Sequence, residues 1–254
     1  MKPTPYRGPK RPKERSLLIG WHPLMDAIET GASLDRIFLN REEKGDRTNA
    51  LIRAARAADI PVLRVPREKL DRLTVKNHQG VVGFISPIEF QPLEELIAAA
   101  WESGEAPVFV VLDGVTDVRN MGAIARSAEC FGATALVIPK TGSAPLREDA
   151  IKSSSGALLR IPVARVDSIE ICMNLLHNNG VETVGLTEKG EAELQSFQPQ
   201  GAMAWVLGDE ETGLSDVALR SCQTLVRIPM SGSTGSLNVS VAAGIALFSG
   251  KTRS

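Results

Sequence analysis

The sequence predicts an α/β protein made of a small N-terminal unit and a larger unit built on a mainly parallel sheet. Three observations carry this. Short apolar runs alternate with segments of helical periodicity along most of the chain. The apolar runs after residue 107 are nearly continuous, as expected of strands covered on both faces. Between the two blocks, Pro87 and Pro92 break the pattern.

The smaller unit covers residues 16–86. Helices are expected at 22–29 and over the Ala- and Arg-rich 49–58, with strands at 34–39, 62–65 and 81–85. Strands separated by helices imply a mainly parallel sheet here too. Residues 87–106 read as a linker with one short helix. In it Leu93, Leu96, Ile97, Ala100 and Trp101 recur at helical spacing, and Ser103-Gly104 closes it. From 107 to 254 strands are expected at 108–112, 135–138, 161–166, 183–186, 204–207 and 225–228, a sheet of about six. Helices are expected at 121–131, 168–177, 214–221 and 237–248; Met121, Ile124, Ala125 and Ala128 form one stripe of the first.

A chain of 254 residues has room for two such units. Hydrophobic content of 43% and charged content of 23% are those of a globular protein. Aromatics at 4% argue against a surface of stacked rings for single-stranded RNA. No apolar run reaches the roughly 20 residues of a membrane helix, and no apolar core follows the N-terminal basic residues as a secretory signal would require. Cys130, Cys172 and Cys222 lie far apart and are odd in number, which argues against a disulfide framework and for a reducing cytoplasm. The net charge of -1 hides an uneven distribution. Residues 1–15 hold Lys2, Arg7, Lys10, Arg11, Lys13 and Arg15 against Glu14, with Pro3, Pro5, Pro9 and Pro12 between them. This is expected to be a disordered basic tail, which either attracts phosphate backbones or solubilises the terminus.

Several chemistries are excluded. No Gly-x-Gly-x-x-Gly follows a strand, so the usual dinucleotide loop is missing. Gly250-Lys251-Thr252 resembles the end of a phosphate-binding loop, but Ile245 stands where that loop needs glycine. His22, His78 and His177 are scattered and form no metal set. His78 is expected to pack and close the small unit rather than to read a base.

What remains is three polar segments, 113–122, 208–213 and 229–238, each after an apolar strand. In a parallel sheet the C-terminal strand ends share one edge, where ligands bind. The three segments together predict one composite pocket. The third also opens the last helix. Ser236 and Asn238 there are natural caps for free N–H groups at a positive helix end.

These segments carry a resemblance. Asp113-Gly-Val-Thr-Asp117, Asn120-Met-Gly-Ala and Arg126-Ser-Ala resemble the first motif of the SpoU (TrmH-like) family. Gly208-x-Glu210-x-x-Gly213-Leu resembles the second, and Ile228-Pro-Met followed by Ser236-Leu-Asn-Val-Ser the third. The family comprises RNA ribose 2′-O-methyltransferases of the SPOUT class. Gly20-Trp-His-Pro-Leu through His78-Gln-Gly-Val resembles the L30e-like substrate domain often fused to it.

The resemblance implies a C-terminal α/β knot, a deep trefoil. It implies S-adenosyl-L-methionine held bent, mainly by backbone groups of Gly208, Ile228 and Leu237. It implies a homodimer with the site near its interface, acting on RNA without metal or membrane. The order of parts is closest to the members that methylate a guanosine of 23S ribosomal RNA. Transfer RNA methylation and a non-catalytic RNA-binding role in ribosome assembly are the alternatives.

By motif position the catalytic set is Arg126, Asn120, Glu210, Ser236 and Asn238. Arg126 matches an arginine often assigned as general base. A guanidinium gives up its proton only far above neutral pH, so its neutral form costs roughly 7 to 9 kcal/mol at neutral pH. A forked grip on the neighbouring phosphate, stabilising the developing alkoxide, is the milder role. Asn120 and Asn238 would orient the ribose or fix the loops. Glu210 would hold the second loop or pair with an arginine of the dimer partner, and Ser236 would bond the target nucleotide. Two departures stand out. Val118-Arg119 occupies a position where many relatives have proline, and Glu211 replaces a glycine of the second motif.

Overall fold

Four short strands and three helices build the first unit in the computed structural model, which describes residues 17–233 and 235–251. The basic tail expected over residues 1–15 lies outside the described residues. The chain divides into two units between Ser86 and Pro87.

The first unit runs β1 (Leu17–Ile19), α1 (Trp21–Glu29), β2 (Leu34–Asn40), α2 (Asp46–Ala57), β3 (Val62–Val65), α3 (Arg67–Leu73) and β4 (Val81–Ile85). Its sheet has the order β1-β4-β2-β3. Only β2 and β3 pair in parallel, whereas β4 runs antiparallel to both β1 and β2. The mainly parallel sheet expected for this unit is therefore corrected to a mixed one. After α3 the chain reverses and inserts β4 between two earlier strands. The reversal needs left-handed backbone at Gln79 (φ 49°) and Gly80 (φ 84°). Trp21 Nε1 donates to the Gln79 carbonyl at 2.8 Å. His78 is buried, 2.9 Å from Asp71 Oδ1 through Nε2, while its Nδ1 accepts the Gly80 N–H. It thus fastens α3 to the turn. β1 and α3 had no sequence signal, one being three residues long and the other dominated by charge.

The second unit begins with β5 (Phe90–Gln91) and α4 (Leu93–Glu102), followed by β6 (Val108–Asp113), α5 (Val118–Cys130), β7 (Ala135–Pro139) and α6 (Glu148–Ser153). It continues with β8 (Val163–Val166), α7 (Ile169–Asn178), β9 (Glu182–Leu186), β10 (Ala192–Glu193), β11 (Met203–Gly208), α8 (Asp216–Ser221), β12 (Thr224–Arg227) and α9 (Val239–Lys251). Residues 87–106, read from the sequence as a linker, supply a strand paired to β8 and a helix whose Leu93, Leu96 and Ile97 are buried in this unit's core. The sheet holds eight strands in the order β10-β12-β9-β11-β6-β7-β8-β5. All its ladders are parallel. The two strands beyond the expected six are two-residue edge pieces, too short to show periodicity.

Strand residues alternate between two cores. Val110 and Leu112 face α5 and α9 with Met121, Ile124, Ala243 and Leu247. Phe109 and Val111 face α4 and α7 with Leu96, Ile97, Met173 and Leu176. This is the three-layer solution for a parallel sheet. Among the described residues, no helix is long and apolar enough to cross a membrane.

Helices α5 and α6 meet closely at Gly122. A methyl group there would lie 1.9 Å from Ser153 Oγ and 2.8 Å from the Ser153 carbonyl carbon. The backbone atom cannot swing aside. Gly122→Ala is therefore expected to destabilise the second unit by about 1 to 3 kcal/mol, the range for overpacked contacts. Chemical denaturation checks this, and an unchanged midpoint would contradict the close packing.

Candidate active site

Strand register sets the site. Leu112 pairs with Leu207 and Asp113 with Gly208, so β6 and β11 end level. Leu186 of β9 pairs with both Leu207 and Val226, so β9 and β12 end beside them. The segments that follow these strands share one edge of the sheet, and all three polar segments meet there.

The meeting point is a hydrogen-bonded cluster of three side chains, one from each segment. Asn120 Nδ2 donates to Glu210 Oε2 at 2.8 Å. Asn238 Nδ2 donates to the same oxygen at 3.2 Å and to Asn120 Oδ1 at 3.0 Å. Each member is fixed by its own element. Asn120 sits in the first turn of α5, capped by Asp117, whose Oδ1 accepts the N–H groups of Arg119 (2.7 Å) and Asn120 (3.1 Å). Asn238 caps α9, its Oδ1 accepting from Ser240 N and Oγ at 2.9 and 2.6 Å. Capping and clustering use different ends of the Asn238 amide, so it performs both tasks.

The segment carrying Glu210 is a tight turn closed on itself. Asp209 and Gly213 exchange backbone hydrogen bonds at 3.0 and 2.9 Å. Asp209 Oδ1 accepts the N–H groups of Glu211 and Thr212. Gly208 leaves the room this needs, because a methyl group on it would lie 2.1 Å from the Gly213 carbonyl carbon. Buried Asp113 ties the first segment to the second by accepting the Ser215 N–H at 2.7 Å.

A cavity of about 640 Å³ opens beside this cluster. Leu186, Leu207, Ile228 and Leu237 give it apolar wall, and Gly208, Glu210 and Ser236 also line it. Glu188, Glu193 and Arg227 line it too. Arg227 holds the 187–193 loop in place, donating through Nη1 to the carbonyls of Gly190 (2.8 Å) and Glu191 (3.0 Å) and through Nη2 to Glu193 (3.3 Å). Sequence reasoning singled out none of these three, and no local pattern marks them. Asp117 had a signal that went unused, an acidic residue just before a helical stripe.

Of the sequence-predicted residues, Gly208, Ile228, Leu237, Glu210 and Ser236 line the cavity, and Asn120 and Asn238 join it through Glu210. Arg126 stands apart. It lies six residues, about 9 Å of helix rise, beyond Asn120. It is exposed and makes no hydrogen bond or ion pair among the described residues. Arg119 is seven residues, about two turns, before it on the same face of α5 and is also exposed, 3.7 Å from Asp117. Glu211, the departure from the second motif, is exposed on the turn.

Comparison with known proteins decides the family. The SpoU rRNA methylase family matches residues 107–248, and the RNA 2′-O ribose methyltransferase substrate-binding domain matches residues 17–91. The chain belongs to the SpoU methylase family. It is an RNA methyltransferase. It is 34% identical over 247 residues to an uncharacterized tRNA/rRNA methyltransferase of Mycobacterium leprae, covering 96% of this chain and 79% of the relative. It is 30% identical over 236 residues to the putative TrmH family tRNA/rRNA methyltransferase YacO of Bacillus subtilis, covering 93% and 95%. Among solved structures, the SpoU methyltransferase AviRb of Streptomyces viridochromogenes in complex with AdoMet aligns with a TM-score of 0.58 at 26% identity, covering 92% and 88%. The AdoMet-bound rRNA methyltransferase of Sinorhizobium meliloti aligns with a TM-score of 0.59 at 25% identity, covering 92% and 85%.

The cap of α5 gives a stability test. The Asn120 N–H that Asp117 accepts, with the Arg119 N–H and guanidinium, holds this carboxyl below its ordinary pKa. A lowered native pKa stabilises the fold above the unfolded value, about 3.9. That stability is lost as pH falls through the native value. Asp117→Ala is expected to cost about 1 kcal/mol at neutral pH. The cost shrinks as pH falls below about 4. Urea unfolding of both proteins across this range checks it; a cost independent of pH would contradict the charged cap.

Proposed function

We propose that this protein methylates a ribose 2′-hydroxyl of ribosomal RNA, a guanosine of the 23S molecule as in the RlmB group, acting as a cytoplasmic homodimer. The donor is S-adenosyl-L-methionine. The observation that carries the reading is the Asn120–Glu210–Asn238 cluster, which joins three distant motifs at the mouth of one cavity.

The cavity fits the donor. Its volume of about 640 Å³ is that of a small-molecule site. The walls of Leu186, Leu207, Ile228 and Leu237 suit a flat base, and the acid Glu188 suits a cationic ligand. Bent binding would use backbone groups of Gly208, Ile228 and Leu237, since the turn packs on Gly208 with no space for a side chain. The donor supplies a methyl group on a positively charged sulfur, already a good leaving group. What the chain must add is position and a route for one proton. Arg126, solvated and without a partner among the described residues, is free to grip an RNA phosphate, with Arg119 beside it. Ser236, exposed at the rim, is placed to bond the target nucleotide.

Ribosomal rather than transfer RNA is favoured by the fused substrate-binding unit at residues 17–91. The homodimer is supported by an apolar stripe on α9, where Val241, Ile245 and Phe248 are 50%, 39% and 56% exposed at helical spacing. The trefoil knot belongs to the same reading. The cytoplasmic setting is supported by the three free thiols.

The test is transfer of labelled methyl groups to unmodified ribosomal and transfer RNA, followed by mapping of the modified ribose. Label at one 2′-oxygen of 23S RNA is the expected result; label in transfer RNA alone would overturn the substrate. Arg126→Ala is expected to lower turnover at limiting RNA by about 100-fold or more, the scale for a lost transition-state contact. Its affinity for the donor, measured by calorimetry, should be unchanged. A variant that keeps most of its rate would remove Arg126 from the reaction.

A further inference from the structure

Methyl transfer leaves a proton to be removed from the 2′-hydroxyl, and we propose that Glu210 accepts it through Oε1. The inference rests on the methyl-transfer reading above. It starts from an asymmetry in the Glu210 carboxylate. Oε2 receives the amides of Asn120 and Asn238 at 2.8 and 3.2 Å, whereas Oε1 accepts no hydrogen bond among the described residues. The first oxygen fixes the group and the second is left for a ligand. Glu210 lines the cavity, and Arg126 does not.

The other acids of the cavity are committed elsewhere or unanchored. Glu188 accepts the Thr187 hydroxyl at 3.3 Å, Glu193 pairs with Arg227 at 3.3 Å, and Asp209 closes its own turn. Glu211 is exposed, as Glu210 is, but no side-chain bond among the described residues holds it to α5 or α9. Among the described residues, Glu210 is the one acid of the cavity tied by its side chain to both of the other motifs.

The chemistry favours a carboxylate over a guanidine. A guanidinium must first lose a proton at a cost of roughly 7 to 9 kcal/mol at neutral pH. A carboxylate is already in its basic form. It is a weak base toward a free alcohol, but the hydroxyl becomes strongly acidic as its oxygen bonds to carbon. Transfer late in the step therefore suits it. The balance is complete without another reactant. A C–O bond forms from the 2′-oxygen to the methyl carbon, and the C–S bond breaks with its electron pair remaining on sulfur. The O–H bond breaks with its pair remaining on oxygen, and the proton passes to Glu210 Oε1 and then to water.

Glu210→Gln separates this role from a structural one. Its amide oxygen can still accept from both asparagines, so the cluster is kept, while an NH2 group replaces Oε1. The expected result is a single-turnover methyl-transfer rate lower by about 100-fold or more, within the range for a lost general base. Melting temperature, calorimetric affinity for S-adenosylmethionine and affinity for unmodified RNA should stay close to those of the parent. A variant that keeps more than about a tenth of the rate would overturn the proposal. So would a variant that loses donor affinity or stability along with rate, since Glu210 would then serve the fold or the donor. A parent protein that transfers no methyl group to any RNA would overturn the methylation reading itself, a different failure from either of these.

Discussion

One carboxylate oxygen, Oε2 of Glu210, receives amide hydrogens from residues 90 positions earlier and 28 positions later in the chain. The segments it joins lie past the strand ends, beyond the reach of the parallel ladders that organise the sheet. A loop of that kind satisfies its polar groups with water, locally or through side chains. The 208–213 turn does both. It bonds to itself through Asp209 and Gly213 and outward through Glu210. The caps of α5 and α9 hold the two asparagines that complete the cluster, so the helices and the turn are positioned together.

The sheet makes this possible by ending its central strands at one level. β6, β11, β9 and β12 are neighbours though they are far apart in sequence, and their registers bring residues 113, 208 and 186 to a common edge. The cavity follows from that edge, with apolar walls from the last strand residues and polar groups from the turns. Arg126 is carried along the exposed side of α5, outside the cavity. Such a place is reachable by a large polyanion, and Glu210, though also exposed, lies at the cavity itself.

Much of the second unit was legible from the sequence because its strands are buried on both faces and read as unbroken apolar runs. The strand read at 108–112 is β6, and the stripe of Met121, Ile124, Ala125 and Ala128 is the buried face of α5. The edge strands β5 and β10 were invisible because two residues carry no period. The mixed sheet of the first unit was misread because direction depends on where β4 inserts, and alternation of elements does not encode insertion. At the site, motif resemblance brought Asn120, Glu210 and Asn238 onto one page. It did not say that they bond to one another, since separations of 28 to 118 residues have no local signature. Glu188, Glu193 and Arg227 reach the cavity only through the path of β9, β10 and β12.

The shared carboxylate joins the three segments into one hydrogen-bonded unit. A double-mutant cycle on Asn120 and Asn238, read as the rate of methyl transfer with Glu210 intact, tests it most directly. If the cluster is one unit, Asn120→Ala and Asn238→Ala each remove most of its effect, and the double variant is little worse than either alone. If the two losses simply multiply, the asparagines act independently and the cluster does not organise the site.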